Sequence, residues 1–413
     1  WYLDNDGDQY GQTATLVVSC YAPTNHVNTP GDCDDAAFNT HPGATDVCDD
    51  GIDQDCSGVD ESCQIEFGLA AADAKLIGLS DYDQAGWSIL GEVNVNGDAY
   101  GDLLIGAPGN GSNSDDAGVV YVIEGPVSGG INLHTTATAR IFGDNIRDYA
   151  GISLAPAGDT NNDGLDDFWL GAYQQDDGAA DAGSVYLFES PFSGDQTLVD
   201  ASVQWIGNDI QDYSGYSIDG NQDVNGDGHM DLIVGAYQES SFGTYAGAAY
   251  LVYGPFSGSN SLSNADVTLY GEHAGDFNGW DVAFIGDTNG DGLSELATSA
   301  YGYDNNSNST GAVYVVNGDQ SLSGALSLFY ADATFYGEGL NHFAGRSVDS
   351  AGDFNGDGYH DLLIGASGED STATGAGAAY VIYGPMTGAQ QLSSAPVKYL
   401  GENGSNYAGR GVS

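Results

Sequence analysis

One short stretch of the sequence, DFNGDGYHDLLIGA at 353–366, brings together residue types that bind a hard cation. Side-chain oxygens occur at alternate positions, on Asp353, Asn355 and Asp357, and Asp361 closes the set where an apolar run begins. A glycine between them permits a sharp turn. Calcium collects several side-chain oxygens and one backbone carbonyl from turns of this kind. The stretch therefore predicts a calcium loop that leads directly into a buried strand.

The same pattern returns along the chain. DTNNDGLDDFWLGA begins at Asp159, DVNGDGHMDLIVGA at Asp223 and DTNGDGLSELATSA at Asp287, and a degraded copy begins at Asn94. The acidic residues that close the loops recur every 64 to 66 residues, starting at Asp102. A metal-free turn is the alternative interpretation, but carboxylates this close repel one another unless a cation bridges them. The repetition therefore favours calcium and indicates a repeat protein.

Each repeat has the pattern of a small antiparallel sheet. Alternating apolar residues in short runs, bounded by Gly, Asp and Asn, are typical of strands joined by tight turns, and each unit offers about four of them. Four-stranded sheets repeated radially form a propeller, in which the ring protects the sheet edges. We therefore predict an all-β propeller over 64–413, with five full repeats and the flanks of another. Complete, it would have six or seven blades, so we expect truncation at the C-terminus; an open β-solenoid is the rival fold.

The first 63 residues form a different kind of module, because they contain all five cysteines: Cys20, Cys33, Cys48, Cys56 and Cys63. Small modules with little core commonly depend on disulfides, which form in oxidising compartments. Proximity suggests the pairs Cys20–Cys33 and Cys48–Cys56, with Cys63 left over. A zinc site is the competing interpretation, although the sequence has no CxxC motif to support it.

Two further acidic loops lie in this module. WYLDNDGDQYG places Asp4, Asp6 and Asp8 at alternate positions, with the Tyr10 carbonyl next in phase, but it has Gln12 where a carboxylate is expected. CDDGIDQDCSGVDE supplies a fuller set, made of Asp53, Asp55, Ser57, the Val59 carbonyl and Glu61. Solvated turns closed by Asp side chains remain the alternative. We predict one or two calcium ions in the module.

The charge balance limits the partners of the protein. The 413 residues include 60 Asp and Glu but 6 Lys and Arg, a formal charge of −54. Such a surface repels nucleic acid and anionic membranes, which argues against both as partners. No apolar run is long enough to predict a membrane span. Catalytic motifs such as GxSxG and HExxH are absent from the sequence, and calcium coordination accounts for the paired carboxylates, so we expect no enzyme activity.

The repeats resemble FG-GAP repeats, which form the blades of the integrin α-subunit propeller and of many bacterial surface proteins. The clearest copy is FAGRSVDSAGDFNGDGYHDLLIGASG at 343–368, and the resemblance covers about 65–413. One departure is that Ala precedes Gly where the family usually has Phe. The first 63 residues, with GDCDDAAFNTHPGATDVCDDGIDQDC at their centre, resemble the short MopE-type metal-binding motif, which implies export and metal binding.

The FG-GAP resemblance implies about five calcium ions in the propeller, one for each loop. Carried onto this sequence, the ligands are Asp159, Asn161, Asp163, Leu165 and Asp167; Asp223, Asn225, Asp227, His229 and Asp231; Asp287, Asn289, Asp291, Leu293 and Glu295; Asp353, Asn355, Asp357, Tyr359 and Asp361; and Asn94, Asn96, Asp98, Tyr100 and Asp102. The fourth residue of each set acts through its backbone carbonyl. The set that begins at Asn94 is expected to bind more weakly, because it has fewer charges and lacks the turn glycine.

The resemblance also implies that partners bind the face opposite the metal loops. The turns on that face carry Asp115, Asp116, Tyr173, Tyr237, Tyr245, Tyr301 and Tyr303 as candidate contact residues. A second group of aromatic residues recurs in register in the turns between repeats. Its members, expected to pack beneath the turns, are Tyr149, Tyr213, Phe277, Phe343 and Tyr407.

The predicted function is that of a secreted or cell-surface, calcium-stabilised adhesion module. It would bind a protein or glycan ligand and carry out no chemistry of its own. Two alternatives remain open. In one, the protein is a structural subunit that self-associates in an extracellular fibre or surface layer. In the other, it is the ancillary propeller of a larger secreted hydrolase.

Overall fold

The computed structural model describes residues 1–44, 52–58, 72–303 and 309–413. It divides the chain into two units, Trp1–Asp73 and Ala74–Ser413. The boundary predicted between 63 and 64 falls outside the described residues and stays a prediction.

The first unit contains very short strands, and loops make up most of it. Tyr2–Leu3 pairs in antiparallel fashion with His26–Val27, and Gly11–Gln12 pairs in parallel with Pro30–Asp32. A 3-10 turn, Thr13–Thr15, directly follows Gly11–Gln12. Strands of two or three residues bury little apolar surface, so hydrogen bonds from side chains and a disulfide must hold the loops.

A disulfide joins Cys33 to Cys56. The pairs predicted from proximity, Cys20–Cys33 and Cys48–Cys56, are therefore wrong. A backbone hydrogen bond of 2.8 Å from the His41 amide to a carbonyl of the later segment brings that segment back beside Cys33. Such a return of the chain cannot be read from cysteine spacing. Cys20 is an exposed free thiol. The structure does not describe Cys48 or Cys63.

The second unit is built from five antiparallel blades, each with four strands in chain order from the inner to the outer strand. Blade 1 consists of Ile89–Val93, Asp102–Ala107, Val119–Ile123 and Ala139–Phe142; blade 2 of Ser153–Gly158, Asp167–Ala172, Ser184–Phe188 and Val203–Ile206; blade 3 of Ile218–Gln222, Asp231–Ala236, Ala248–Val252 and Val267–Tyr270; blade 4 of Asn278–Gly286, Glu295–Ala300, Ala312–Val316 and Ala333–Tyr336; and blade 5 of Ala344–Gly352, Asp361–Ala366, Ala378–Ile382 and Val397–Leu400. The prediction of an all-β propeller with four-stranded blades is confirmed.

Each repeat also contains a linking strand that the sequence pattern did not predict. It lies between the third and the outer strand and pairs in parallel with the outer strand of the preceding blade. Gly194–Thr197, for example, pairs with Ala139–Phe142 of blade 1. The other linking strands are Gly129–Asn132, Gly258–Ser261, Gly324–Ser327 and Gly388–Gln391. The first of them pairs with Ala74–Ile77, an outer-strand segment that precedes blade 1.

A short helical turn follows each linking strand and leads into the outer strand. The turns are Leu133–Thr136, Leu198–Asp200, Leu262–Asn264, Leu328–Tyr330 and Leu392–Ser394. The leucine that begins each turn is buried, which fixes the turn against the sheet. None of the described helices is long and apolar enough to cross a membrane.

The hydrophobic core is divided into clusters that lie between adjacent blades. Between blades 1 and 2, Leu104 and Ile141 of one sheet face Phe168 and Phe188 of the next. The two phenylalanine rings stack with their centroids 5.7 Å apart. Because the sheets of blades 2, 3 and 4 pack on both faces, their second strands are buried along their length, as in Asp231–Ala236. This accounts for the continuous apolar runs in the sequence.

A glycine in the second strand permits the close approach of neighbouring blades. A Cβ atom on Gly235 would lie 2.2 Å from the carbonyl oxygen of Gly279 in the next inner strand. The same contact exists between Gly365 of blade 5 and Gly409, where a Cβ would lie 2.0 Å from the carbonyl oxygen. Residues 407–412 thus begin a sixth inner segment, as the repeat pattern predicts.

Six inner segments line a central channel of about 840 Å³. They are 86–89, 152–154, 216–219, 280–283, 346–349 and 410–412. Successive strands in a blade are antiparallel, so one end of the channel is surrounded by the turns that follow the inner and third strands. We call this end the loop face. The turns that follow the second and outer strands surround the other end, which we call the turn face.

Candidate metal centres and binding face

The predicted metal loops of the five blades lie on the loop face, and each is closed by hydrogen bonds to its own side chains. In blade 5 the carboxylate of Asp353 accepts hydrogen bonds from the backbone amides of Asp357 and Gly358, both at 2.9 Å. Asn355 accepts a second bond from the Asp357 amide at 2.8 Å, and Asp357 accepts one from the Tyr359 amide at 3.0 Å. The loop therefore holds the predicted side-chain ligands on one turn, and the arrangement repeats in blades 2, 3 and 4 with small variations.

The acidic residue that closes each loop is completely buried and bonded to two parts of the blade. One oxygen of Asp361 accepts the Phe354 amide, and the other accepts the Gly384 amide, each at 2.9 Å. Equivalent pairs of bonds are made by Asp102, Asp167 and Asp231. In blade 4 the longer Glu295 bonds instead to Thr288 and to the Asn289 amide group. In the four blades where the closing residue is an aspartate, its carboxylate thus fastens the loop to the turn after the third strand, whatever its role toward a metal.

Burial raises the pKa of several of these closing carboxylates, and that of Asp231 reaches about 7. The neighbouring charges of Asp223 and Asp227 act in the same direction. A divalent cation would remove this repulsion and favour the ionised form. The donor set, which consists of carboxylate, amide and backbone oxygens, fits a hard cation such as calcium. We retain the predicted ligand sets of the five propeller loops as proposals.

The tightest group of carboxylates in the described residues lies in the first unit. Oxygens of Asp4, Asp6 and Asp8 lie within 4.8 Å of one another. One oxygen of each of Asp6 and Asp8 is buried and accepts no hydrogen bond. Buried carboxylate oxygens are normally hydrogen-bonded or bound to a cation, because desolvation of an unpaired charge is costly. These two oxygens therefore support a metal at this loop.

Asp32 is a further acidic residue close to this loop, and local sequence reasoning missed it. It is 5% exposed, and one of its oxygens is also buried without a hydrogen-bond partner. Burial raises the pKa of Asp32, and the charges of Asp8 and Asp6 add to the effect. Strand pairing places Asp32 opposite Gln12. Asp32 thus supplies a carboxylate beside the position where the predicted loop lacks one.

The second loop of this unit shows the same closure as the propeller loops. The carboxylate of Asp53 accepts the Ser57 amide at 2.9 Å and the Gly58 amide at 2.7 Å. Hydrogen bonds from Ser57 lower the pKa of Asp55, which is half-buried. The last two predicted ligands, Val59 and Glu61, lie outside the described residues.

We expect Asp32→Asn to remove one bound calcium ion per chain at calcium concentrations near the dissociation constant. The asparagine amide is neutral and cannot replace the negative charge of Asp32, which the loop needs because it has Gln12 in place of a carboxylate. The calcium affinity of this loop should therefore fall at least tenfold. Equilibrium dialysis with radioactive calcium would count the ions. Asp34→Asn is the matched control, because it removes one negative charge from an exposed neighbouring residue that lies outside the group of Asp4, Asp6, Asp8 and Asp32. Loss of the ion in the control but not in Asp32→Asn would contradict the assignment.

On the turn face, aromatic side chains form a continuous belt from blade 1 to blade 5. We call it the aromatic belt; its members are Tyr149, Tyr173, Tyr213, Tyr216, Tyr237, Phe277, Trp280, Tyr301 and Phe343. Consecutive ring centroids are 4.3 to 6.4 Å apart. Such contacts add stability beyond the area buried. The belt therefore gives the mouth of the channel a rigid, ring-lined surface.

The recurring turn aromatics are not buried beneath their turns, contrary to the sequence-based expectation. Tyr149, Tyr213, Phe277 and Phe343 are half-buried, and Tyr407 is exposed. All five have positive φ angles between 52° and 57°. This conformation is unfavourable for aromatic residues and is often retained at functional sites. Both groups of turn aromatics thus contribute to one surface.

The residues expected to contact a partner differ widely in exposure. Tyr245 is exposed, whereas Tyr237 and Tyr303 are buried at 9% and 7% exposure and mainly support the surface. Tyr173 and Tyr301 are intermediate and belong to the belt. Sequence position within a turn was therefore insufficient to rank the candidates.

Three carboxylates line the channel below the belt. Ser217 donates to Asp281 at 2.7 Å, and the Phe284 amide donates to Asp219 at 2.7 Å. Burial raises the pKa of Asp219 to about 7 and that of Asp281 to about 6, and it also raises the pKa of Asp349. The folded state therefore holds these protons more tightly than the unfolded chain does, where the pKa of Asp is about 3.9.

We expect the free energy of unfolding, measured in saturating calcium, to fall as the pH rises from about 5 to about 8. Raised carboxylate pKa values stabilise the fold at low pH, and this contribution is lost as Asp281 and Asp219 ionise. Asp219→Asn should flatten the profile over this range. Asp115→Asn, which removes an exposed carboxylate, should leave the slope unchanged. Equal slopes for Asp219→Asn and the unmodified protein would refute the assignment to the channel.

The repeats and the first unit both match described protein families. Residues 85–123, 214–252, 278–316 and 344–382 match the FG-GAP repeat. These segments lie in four of the five blades, and the remaining blade 2 has the same strand order. Residues 32–61 match the MopE family described as "Putative metal-binding motif". That match begins at Asp32.

The chain is also similar to segments of animal integrin α chains. It is 32% identical to integrin alpha-V of Gallus gallus over 153 residues, which is 35% of this chain and 14% of the relative. It is 30% identical to integrin alpha-5 of Xenopus laevis over 165 residues, or 38% of this chain and 15% of the relative. The matched region thus spans about a seventh of each relative. The chain combines FG-GAP repeats, similar to segments of integrin α chains, with a MopE-type metal-binding motif.

Proposed function

We propose that this protein is an extracellular, calcium-stabilised propeller that binds a protein or glycan ligand in adhesion and catalyses no reaction. The observation that carries the proposal is the aromatic belt on the turn face, together with the strained aromatic residues that recur around it. Exposed aromatic surfaces with a polar surround are typical of binding sites. Similarity to integrin α chains supports an adhesive, ligand-binding role in general.

Calcium fits the proposal as a structural cofactor. The propeller loops would hold about five ions and the first unit one or two, all through oxygen donors. The loops lie on the loop face, so a bound ion would stabilise blades without meeting a ligand on the turn face. The Cys33–Cys56 disulfide supports an extracellular location, because such bonds persist in oxidising compartments.

Binding to an array of glycans and extracellular proteins, in calcium, would test the proposal. We expect the unmodified protein to retain at least one ligand, and Tyr245→Ser combined with Tyr301→Ser to weaken it at least tenfold. Tyr330→Ser is the matched control, since this exposed tyrosine lies in a helical turn away from the turn face. Binding that depends on Tyr330 and not on the other two would overturn the assignment of the face.

Two other outcomes would redirect the proposal. Sedimentation that shows assembly of the purified chain without added ligand would favour the structural-subunit function. If the chain bound a polysaccharide only when it was joined to a hydrolase, this result would favour the function of an ancillary propeller in a larger hydrolase. Either result would replace adhesion as the function of the propeller.

A further inference from the structure

Two arginines on the turn face lie side by side in a strongly acidic protein. Arg346 and Arg410 occupy the same position in successive repeats, directly after the glycine that begins the inner strand. At this position blades 1, 3 and 4 have Trp87, Tyr216 and Trp280, and blade 2 has Ile152. The chain has 6 Lys and Arg against 60 Asp and Glu, so two adjacent arginines are unusual. They give one sector of the turn face a local charge opposite to that of the whole protein.

Neither guanidinium is neutralised within the described part of the chain. Other basic residues do find carboxylates: Arg140 pairs with Asp195 at 2.7 Å, and Lys398 pairs with Glu369 at 3.0 Å. Neither Arg346 nor Arg410 makes a side-chain hydrogen bond or ion pair with the described residues. Their hydrogen-bond donors are therefore available to a ligand.

The belt holds Arg346 in place without using its donors. Its guanidinium carbon lies 4.3 Å from the centroid of the Trp280 ring and 5.6 Å from that of Tyr301. Stacking of this kind restrains the plane of the guanidinium while its edge stays free to bind. A restrained arginine loses less entropy on binding than a flexible one.

The two arginines open into a pocket of about 250 Å³. Its lining consists of Tyr301, Phe343, Arg346, Ser367, Gly368, Tyr407 and Arg410. No acidic residue is among them. Pockets for drug-sized ligands usually have about 300 to 1,000 Å³, so this one suits a single small unit. Aromatic walls and a guanidinium pair together match a ring that carries one anionic group.

We propose that this pocket binds an acidic monosaccharide, a uronic acid unit within an otherwise neutral glycan. The planar guanidinium matches a carboxylate in two-point geometry. Tyr301, Phe343 and Tyr407 offer flat apolar surfaces to the C–H face of a sugar ring, which a short acidic peptide side chain would leave uncovered. The net charge of −54 disfavours a polyanionic chain, so the ligand carries isolated acidic units. The inference rests on the proposed function and specifies its ligand.

Calorimetric titration of the whole chain in calcium, with methyl glucuronide and methyl glucoside, would test the proposal. The two sugars differ only in the carboxylate. We expect the glucuronide to bind at least tenfold more tightly than the glucoside, and its affinity to fall in 1 M NaCl by about the same factor. Equal affinity of the two sugars, or no binding of either, would overturn the proposal.

Substitutions of the two arginines test whether the glucuronide binds in this pocket. Arg410→Gln should weaken glucuronide binding at least tenfold, and since this side chain is exposed, the melting temperature should not change. Arg346→Gln should weaken binding as well, whereas Arg346→Lys should retain part of it. Arg147→Gln, in the turn after blade 1, removes the same charge elsewhere and should have no effect. Full glucuronide binding by Arg410→Gln would refute the pocket.

N-acetyl-aspartate α-amide, which has a single carboxylate like the glucuronide, distinguishes a peptide carboxylate from a sugar. If this compound bound as tightly as the glucuronide and lost its affinity in Arg410→Gln, that result would refute a sugar as the ligand, although the pocket would still be a site for an anion. Failure of the proposed function would give a different result, because the unmodified protein would then bind no ligand on the array. Array ligands that bind independently of both arginines would refute this inference alone.

Discussion

Removal of calcium should lower the melting temperature by about 15 °C. When the free calcium concentration is 100 times the dissociation constant of a site, the bound ion stabilises the folded state by about 2.7 kcal/mol. The chain offers several such sites. The second unit, Ala74–Ser413, has an unfolding entropy of about 0.7 kcal/mol/K at about 2.1 cal/mol/K per residue, so 1 kcal/mol shifts its melting temperature by about 1.4 °C and four occupied loops account for about 15 °C. Without the ions, the carboxylates of each loop repel one another, and the formal charge of −54 is unrelieved.

Differential scanning calorimetry in excess EDTA, followed by addition of calcium, would measure this effect. Calcium should restore the transition fully. Magnesium should restore less, because it requires a smaller octahedral set of ligands and dehydrates reluctantly. A transition that does not move in EDTA would refute calcium as a structural cofactor and with it the five propeller sites.

Asp361→Asn should destabilise the protein by about 1 to 3 kcal/mol even in the absence of calcium. The buried carboxylate accepts the amides of Phe354 and Gly384, and an asparagine can accept only one of them. The other buried donor is then left facing an amide group, at a cost of about 1 to 3 kcal/mol. The change therefore tests the fastening of the loop separately from its metal.

Asp357→Asn provides the contrast within the same loop. Asp357 is exposed, so its replacement should change the free energy of unfolding in EDTA by less than about 0.5 kcal/mol. In calcium, however, both variants should lose the stabilisation contributed by this site. Denaturant unfolding of each protein with and without calcium separates the two effects. Equal destabilisation of both variants in EDTA would contradict the structural role assigned to Asp361.

Local patterns were sufficient to predict the fold class and the position of the loops. Alternating oxygens from Asp353 to Asp357 indicate a turn, and the apolar run after Asp361 indicates a buried strand. Both signals lie within a dozen residues, and repetition of the unit implies a ring. The linking strands were missed because sequences such as GDQT in Gly194–Thr197 are polar and lack an alternating pattern. Pairing with a distant strand, rather than propensity, makes them strands.

Long-range pairing also explains what was missed in the first unit. Asp32 lies 20 residues after Gln12, and nothing in the loop itself points to it. The disulfide from Cys33 to Cys56 likewise depends on a return of the chain that spacing does not encode. A signal did exist for the arginine pocket. The scarcity of basic residues, and the equal repeat phase of Arg346 and Arg410, could have been found by aligning the repeats.

The linking strands have a consequence for the order in which the chain folds during synthesis. The outer strand of blade 1, Ala139–Phe142, lacks its parallel neighbour until Gly194–Thr197 has been made, about one repeat later. Each of the sheets of blades 1 to 4 therefore waits for the following repeat, and a nascent chain that is still growing through them ends in one incomplete blade. Folding should advance from the N-terminus in steps of one repeat, with each finished blade secured by the next. A chain cut at the boundary of a sequence repeat would leave the preceding sheet without its last strand.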